Sequence, residues 1–364
     1  MTDSGYMKMA LDLARKAEGR TSPNPMVGAL IVKNGRIVAK GFHHHCGADH
    51  AEIMALKKAK GAARGAKLYV TLEPCSHFGR TPPCVNRIIQ SGIKEVIIGT
   101  IDPNPRNNGK SLRLLKKAGI KTKVGYLEND LKKLNESFFK YITKGMPFVV
   151  AKTAQTLDGK IATAAGQSKW ITGPAARNYA RRLRNDFDAI LVGINTVLAD
   201  NPRLSAQSKS KQLKKVIIDS KLRIPVKARL FRHTKPEDVI IATTHTMNNA
   251  KFSLLRKRGV TVIICPQKDQ GINLKWLFYR LAKMEIANLL LEGGAKIIGN
   301  AIQEHLVDKM RIFIAPRILG DQGARSSVSG MRVTSVANLP ALKDLTVKKI
   351  AEDYLFEGYV YGNR

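Results

Sequence analysis

Residues 49–52 read DHAE, and residues 73–84 read EPCSHFGRTPPC. The chain has four cysteines in 364 residues, and two of them, Cys75 and Cys84, lie in this second stretch. So few cysteines in a chain of this size do not make a disulfide framework; thiol or metal chemistry fits better. Zinc takes four ligands, commonly Cys and His, and a catalytic site keeps one position open. His50, Cys75 and Cys84 would supply three ligands. The apolar run before Cys75 reads as a strand, which puts Cys75 on a presenting loop. Thr81, Pro82 and Pro83 read as a helix start, with Thr81 as N-cap and Pro82 at the first helical position. Cys84 then falls in the first turn, where the helix dipole favours a thiolate. Two thiolates and one neutral imidazole leave a Zn²⁺ site near neutral, so water bound there can ionise near neutral pH.

Glu52 follows His50 by two residues. In zinc deaminases the glutamate is not a ligand but carries protons between water and the ring. Asp49 and Glu52 also match a capping-box pattern, with Glu52 merely reaching back to the backbone. DHAE alone would favour capping; DHAE followed by two cysteines favours catalysis. Generic base deaminases space these cysteines as Pro-Cys-x-x-Cys, whereas SHFGRTPP separates them here. An insertion inside the metal loop sits beside the substrate and can read it. His77 and Arg80 could bind a phosphate or a ring oxygen.

Outward from these stretches, residues 6–18 read as a helix. Asn34-Gly35 joins two apolar runs as a hairpin signal. Helix and strand then alternate to a closing helix over LKKLNESFFKYITKG, a pattern of layered α/β sheet. Lys144-Gly145-Met146-Pro147 reads as a helix stop and a joint. Beyond it the alternation restarts, with strands expected at PFVVAKTA, DAILVG, KKVIID, DVIIATT, VTVIICP, NLLLEGG and MRIFIAP. Two domains follow, 1–145 and 147–364.

The net charge of +34 favours anionic partners. It has no address, however: residues 1–146 carry +15 and the remainder +19. Nucleic-acid binders usually concentrate charge on one face or segment, so a lysine-rich background composition is the simpler reading, without a dedicated nucleic-acid site. No stretch is apolar for long enough to span a bilayer, and the N-terminus lacks a signal layout. A cytoplasmic location is expected.

In combination, SPNPMVGALIV, GFHHHCGADHAE and EPCSHFGRTPPC resemble the deaminase half of the bacterial bifunctional riboflavin-biosynthesis deaminase–reductases of the RibD type. KTAQTLDGKIA, SKWITGPAAR, RLRNDFDAILVGINTVLADNPRL and LLLEGGAKI resemble their reductase half, in the same order. The resemblance covers nearly the whole chain. It implies a cytidine-deaminase-like three-layer domain followed by a dihydrofolate-reductase-like domain. It implies zinc, one per chain, and NADPH. The reactions implied are deamination of 2,5-diamino-6-ribosylamino-4(3H)-pyrimidinone 5′-phosphate and reduction of its ribosyl chain to ribityl. The partner is then a phosphorylated pyrimidine, and a homo-oligomer is expected.

By the same resemblance, Asn24, His43, Ser76, His77 and Arg80 surround the pyrimidine. Ala154, Trp170, Thr172, Thr196, Asp200 and Ser220 lie near NADPH, and Ser168, Arg184, Leu204 and Glu292 near the reductase substrate. The second domain lacks Gly-x-Gly-x-x-Gly, so a standard dinucleotide fold is unsupported. Gly293 and Gly294, between a strand and a helix, fit a cofactor pyrophosphate site. Opening the ribose needs a proton carrier, and Lys152, Asp200 and Glu292 are the candidates. Lys152 also reads as a solvated strand-end lysine, and Trp170 as nicotinamide stack or core filler. His44, His45 and Cys46 read as exposed, and Cys265 as a buried strand thiol. Gln207 stands where the family usually has arginine, which Arg203, Lys209 or Lys211 could offset, and Ser111 stands where a second glycine is usual. A nucleic-acid deaminase would leave residues 147–364 unexplained, and a non-catalytic zinc-stabilised binding protein would leave Glu52 unexplained.

Overall fold

The computed structural model describes residues 1–79, 82–208, 212–269 and 271–361. The chain divides into two compact units, Met1–Met146 and Pro147–Arg364.

The first unit runs α1 (Asp3–Arg15), β1 (Gly28–Lys33), β2 (Arg36–Phe42), α2 (Ala51–Ala59), β3 (Lys67–Leu72), α3 (Cys84–Gln90), β4 (Glu95–Thr100), α4 (Lys110–Lys117), β5 (Lys121–Val124), α5 (Glu128–Leu134) and α6 (Glu136–Lys144). Its sheet has the order β2-β1-β3-β4-β5. β1 pairs antiparallel with β2 and β3, and β3, β4 and β5 run parallel. Asn34 at φ 49° and Gly35 at φ 74° supply the two left-handed residues of a tight hairpin. Side chains alternate across the sheet. Ala29, Ile31, Leu68, Val70, Val96 and Ile98 pack with Ala55 of α2, Val85 and Ile88 of α3, Leu115 of α4 and Phe138 of α6. Leu30, Val32, Tyr69 and Ile97 pack with Tyr6, Met7 and Leu11 of α1 and Leu131 of α5. Helices therefore cover both faces, giving three layers.

Two sequence expectations shift. The closing helix is broken at Asn135, which leaves helical geometry at φ −109° and ψ 23°. Its buried amide instead accepts from Met26 N at 2.8 Å and donates to Met26 O at 3.0 Å, satisfying a distant backbone pair. α3 begins at Cys84 with Pro83 in the N-cap position, so Pro82 is not helical; the expected cap, Thr81, lies outside the described residues.

The second unit runs β6 (Phe148–Thr156), β7 (Lys160–Ala162), α7 (Pro174–Leu183), β8 (Ala189–Gly193), α8 (Ile194–Asp200), β9 (Lys214–Ile218), α9 (Arg229–Arg232), β10 (Val239–Thr243), α10 (Asn249–Lys257) and β11 (Thr261–Ile264). It continues with β12 (Gln267–Lys268), β13 (Gly271–Ile272), α11 (Leu274–Lys283), β14 (Asn288–Leu291), α12 (Ala295–Gln303), β15 (Lys309–Ala315), β16 (Arg325–Ser326), β17 (Lys343–Ile350) and β18 (Asp353–Tyr359). Its main sheet has the order β11-β10-β9-β8-β14-β6-β15-β18-β17. The strands from β11 to β15 are parallel, and β18 and β17 close one edge antiparallel. The parallel strands are nearly uniform apolar runs because both faces are buried. The β17–β18 hairpin was missed in the sequence. β17 is exposed along almost its whole length, so it carries no burial alternation to read. Among the described residues no helix is long and apolar enough to cross a membrane.

Candidate active sites

In the first unit, His50 caps α2 from extended backbone, and its carbonyl accepts the first helical bond, from Met54 N at 3.0 Å. With His50 at the N-cap, the register is one residue off that of an Asp49–Glu52 capping box. Asp49 instead pairs with Lys57 at 2.5 Å. Cys75 lies on the loop after β3, and Cys84 opens α3. His50 Nδ1 lies 3.2 Å from Cys84 Sγ and 3.6 Å from Cys75 Sγ, and the three ligand atoms fall within 4.8 Å of one another. Tetrahedral zinc with bonds of about 2.0–2.3 Å needs ligand atoms roughly 3.5–3.8 Å apart. The donor set and spacing fit zinc. The N–H of Cys84 donates to Cys75 Sγ at 3.2 Å, so the helix start serves Cys75 rather than Cys84 itself. The hydrogen bond from Cys84, working against burial, holds the Cys75 thiol down to about 4. The same bond and burial push the Cys84 thiol up, and the Cys75 thiolate holds the His50 imidazole up to about 9.

Glu52, in the first turn of α2, is 3% exposed, and burial pushes its carboxyl above the usual range. His43 is buried: its Nε2 lies 3.2 Å from Asn24 Nδ2 and its Nδ1 3.2 Å from Asp49 O, and its ring meets that of His50 edge-on at 5.3 Å. Burial lowers its pKa. His45 is exposed, while His44 and Cys46 are half-buried, His44 stacking on Phe42 at 4.0 Å. His77 Nδ1 is buried without a hydrogen-bond partner among the described residues. Arg80 lies outside them.

The loop over residues 102–111 was not singled out as part of this site, yet it holds the metal loop. Glu73 accepts from Asp102 N, Gly109 N, Ser111 N and Ser111 Oγ at 3.2, 2.9, 3.2 and 2.8 Å. Ser111, in place of glycine, thus adds one hydroxyl to a buried carboxylate's partners. Asn107, fully buried, bonds Ser76, Pro74 and Asp102. Burial raises the Asp102 carboxyl to about 6. In the sequence this loop stood out only for Ser111 in place of a second glycine and for a run of Asx residues, which ordinarily marks nothing more than turns.

In the second unit, Glu292 follows β14 and receives Arg184 side-on, Nε to Oε1 and Nη2 to Oε2 both at 2.8 Å. Arg184 Nη1 also donates to Ser205 O at 3.1 Å. Lys152 Nζ stands 4.0 Å from Glu292 Oε2. Burial alone would raise the Glu292 carboxyl, but Arg184 and Lys152 hold it down to about 2. Lys152 is not a solvated strand-end residue: its side chain is 16% exposed, and burial lowers its pKa despite Glu292. Leu204 packs in the apolar core, so only its backbone is free to meet a ligand. Arg203 and Gln207 are exposed; Lys209 and Lys211 lie outside the described residues.

Gly293 at φ 113° and Gly294 at φ 75° lead into α12. A Cβ on Gly293 would stand 3.2 Å from Thr196 Oγ1, so only glycine leaves this cradle open. Bare N–H groups before a helix suit a pyrophosphate. Ser168 Oγ donates to Asp200 Oδ1 at 3.3 Å, tying the 168–172 segment to the end of α8. Trp170 is 62% exposed and lies under the Arg177 guanidinium at 4.4 Å, so it does not fill the core. Thr172 is buried, Ala154 lies on β6, and Ser220 follows β9, its carbonyl accepting from Thr243 and Thr244 hydroxyls at 3.1 and 2.9 Å. Lys152, Glu292, Thr196 and Ser220 thus lie on or just after parallel strands, where open α/β sheets bind ligands. Cys265 is buried just after β11, and burial raises its thiol to about 12.

Residues 147–356 match the family model described as the RibD C-terminal domain, and residues 1–100 match the cytidine and deoxycytidylate deaminase zinc-binding region. The riboflavin biosynthesis protein RibD of Aquifex aeolicus is 42% identical over 96% of each chain. Acinetobacter baumannii RibD superposes with a TM-score of 0.89 at 36% identity over 98% of both chains. A diaminohydroxyphosphoribosylaminopyrimidine deaminase/5-amino-6-(5-phosphoribosylamino)uracil reductase from Thermotoga maritima superposes at 0.85 and 38%, also over 98% of both.

Proposed function

The chain belongs to the RibD family, and on that premise we propose how its two halves divide the work of a bifunctional deaminase and reductase of riboflavin biosynthesis. Residues 1–145 deaminate 2,5-diamino-6-ribosylamino-4(3H)-pyrimidinone 5′-phosphate, and residues 147–364 reduce the ribosyl chain with NADPH. The observation that carries this is the convergence of His50, Cys75 and Cys84 within 4.8 Å, next to a buried Glu52.

In the deaminase half, His50, Cys75 and Cys84 hold one zinc per chain. Zinc supplies Lewis acidity that lowers the pKa of water near it. Glu52 takes one proton of the attacking water and passes it to the ring nitrogen; it then takes the remaining proton of the newly bound hydroxyl and gives it to the amino group, which leaves as ammonia as that hydroxyl becomes the ring carbonyl. Its raised pKa suits a group that must both accept and give a proton near neutrality. Asn24 and His43 bind the pyrimidine edge, with Ser76, His77 and Arg80; the unpartnered His77 Nδ1 supports this.

In the reductase half, NADPH supplies the hydride. Gly293 and Gly294 hold its pyrophosphate, with Ala154, Trp170, Thr172, Thr196, Asp200 and Ser220 around the rest. Ser168, Arg184, the Leu204 backbone and Glu292 face the substrate. Lys152 is the residue best suited to move the ribose ring-opening proton at Nζ, because its pKa is already lowered and Glu292 lies 4.0 Å away. Arg184 spends its fork on Glu292, so its first task is to keep that carboxylate ionised, not to hold phosphate alone. A homo-oligomer fits the exposed apolar side chains of β17, Leu345 and Val347. A cytoplasmic location fits four cysteines that form no disulfide among the described residues.

Incubation with the phosphorylated diaminopyrimidine, with and without NADPH, tests the whole reading by mass analysis. Exchange of amino for oxo without NADPH, then gain of two hydrogens with it, is expected. Reduction without prior deamination, or neither change, would sink it.

A further inference from the structure

We propose that Asn107 is a positioning residue that sets the hydrogen-bond polarity of Ser76 and so lets the deaminase site tell an amino substrate from its oxo product. The inference rests on the reading of residues 1–145 as the pyrimidine deaminase. Asn107 reaches both neighbours of Cys75. Its Nδ2 donates to Pro74 O at 3.1 Å, and its Oδ1 accepts from Ser76 N at 2.9 Å. A carbonyl can only accept and a backbone N–H can only donate, so these two contacts settle which end of the amide is which. Oδ1 also meets Ser76 Oγ at 2.6 Å. Since Oδ1 cannot donate, the hydroxyl must give its single proton to Asn107. Asn107 cannot turn over to relax this, because Nδ2 also donates to Asp102 Oδ2 at 3.1 Å and the residue is fully buried.

Ser76 itself is only half-buried and adjoins a zinc ligand. With its proton committed, its oxygen presents lone pairs alone. It can accept from the amino group that deamination removes, but it cannot donate to the carbonyl that deamination creates. A site hydrogen bond that its product cannot complete discriminates against that product. The three contacts to Pro74 and Ser76 brace Cys75 from both sides, so recognition and metal loop share one anchor.

The test compares wild type with Asn107→Leu, Asn107→Asp and Ser76→Ala, in the zinc-loaded full chain. The probes are the phosphorylated diaminopyrimidine as substrate and the deaminated aminouracil phosphate as competitor. Zinc content and NADPH consumption on deaminated substrate report whether each variant is folded. Loss of one neutral hydrogen bond is worth roughly three- to ten-fold. Asn107→Leu is therefore expected to raise the deaminase KM about that much, with a smaller change in kcat, and to let the product compete relatively better. Asn107→Asp, which keeps an acceptor against Ser76, should hold the wild-type ratio of substrate to product affinity. Ser76→Ala should erase that ratio, and adding Asn107→Leu to it should change the ratio no further. An unchanged ratio in Asn107→Leu overturns the proposal, as does zinc loss with an unchanged ratio in the zinc-loaded fraction, which would make Asn107 a brace only. A wild type that releases no ammonia overturns the deaminase reading itself, and the role of Ser76 falls with it.

Discussion

Glu52 and Glu292 are both buried carboxylates, yet their pKa values move in opposite directions. For Glu52 burial outweighs the nearby His50 charge and raises the carboxyl, so it is poised to hold a proton. Glu52→Ala should keep zinc, because His50, Cys75 and Cys84 are untouched, while deamination falls by about 10²–10⁴-fold. Retained turnover with lost stability would return Glu52 to a structural role. Glu292 is held at about 2 by Arg184 and Lys152. Its folded pKa lies below the 4.5 of a free glutamate, so the stability it contributes is present above pH 4.5 and fades as pH falls through about 2. Glu292→Gln leaves two buried cations without a counter-charge, which costs about 3–5 kcal/mol near neutral pH. The gap to wild type should close on acidification. Denaturant unfolding across pH checks this, and a gap independent of pH would show that lost packing, not charge, is responsible.

At the scale of elements, α2 delivers His50 and Glu52 only because it lies almost on the sheet. A Cβ on Gly41 of β2 would come within 2.2 Å of Ala51 O and 2.7 Å of Ala55 N, both backbone atoms of α2. Gly41→Ala must therefore lift the helix. Such overpacking costs about 1–3 kcal/mol, and zinc content and deamination should fall together while NADPH consumption persists. Wild-type zinc and melting temperature in this variant would show that the close approach is dispensable. Most elements were legible beforehand, since long apolar runs between turn residues declare buried strands. The exceptions have local causes. Asn135 splits a helix because its amide answers Met26, 109 residues away in sequence, and β17 is too exposed to show a pattern.

Across the whole molecule, each unit has apolar clusters of its own among the described residues. Fragments 1–146 and 147–364 should each fold, the first deaminating and the second consuming NADPH on deaminated substrate. Chelation should abolish only the first activity; insolubility of both fragments would argue that each needs the other. The amino-acid sequence by itself determined the two α/β units and singled out His50, Cys75, Cys84 and Glu52 as candidates, because strand and helix periodicity and metal-ligand chemistry are written in local residue types and spacing. Tertiary structure decided what those residues do to one another. It turned Lys152 from a surface lysine into a buried amine, spent the Arg184 fork on Glu292, and gave Cys75 rather than Cys84 the helix start. It also brought Asn107 from a turn-like loop to both sides of Cys75. Burial and hydrogen-bond partnership join residues far apart in the chain, so no local pattern encodes them.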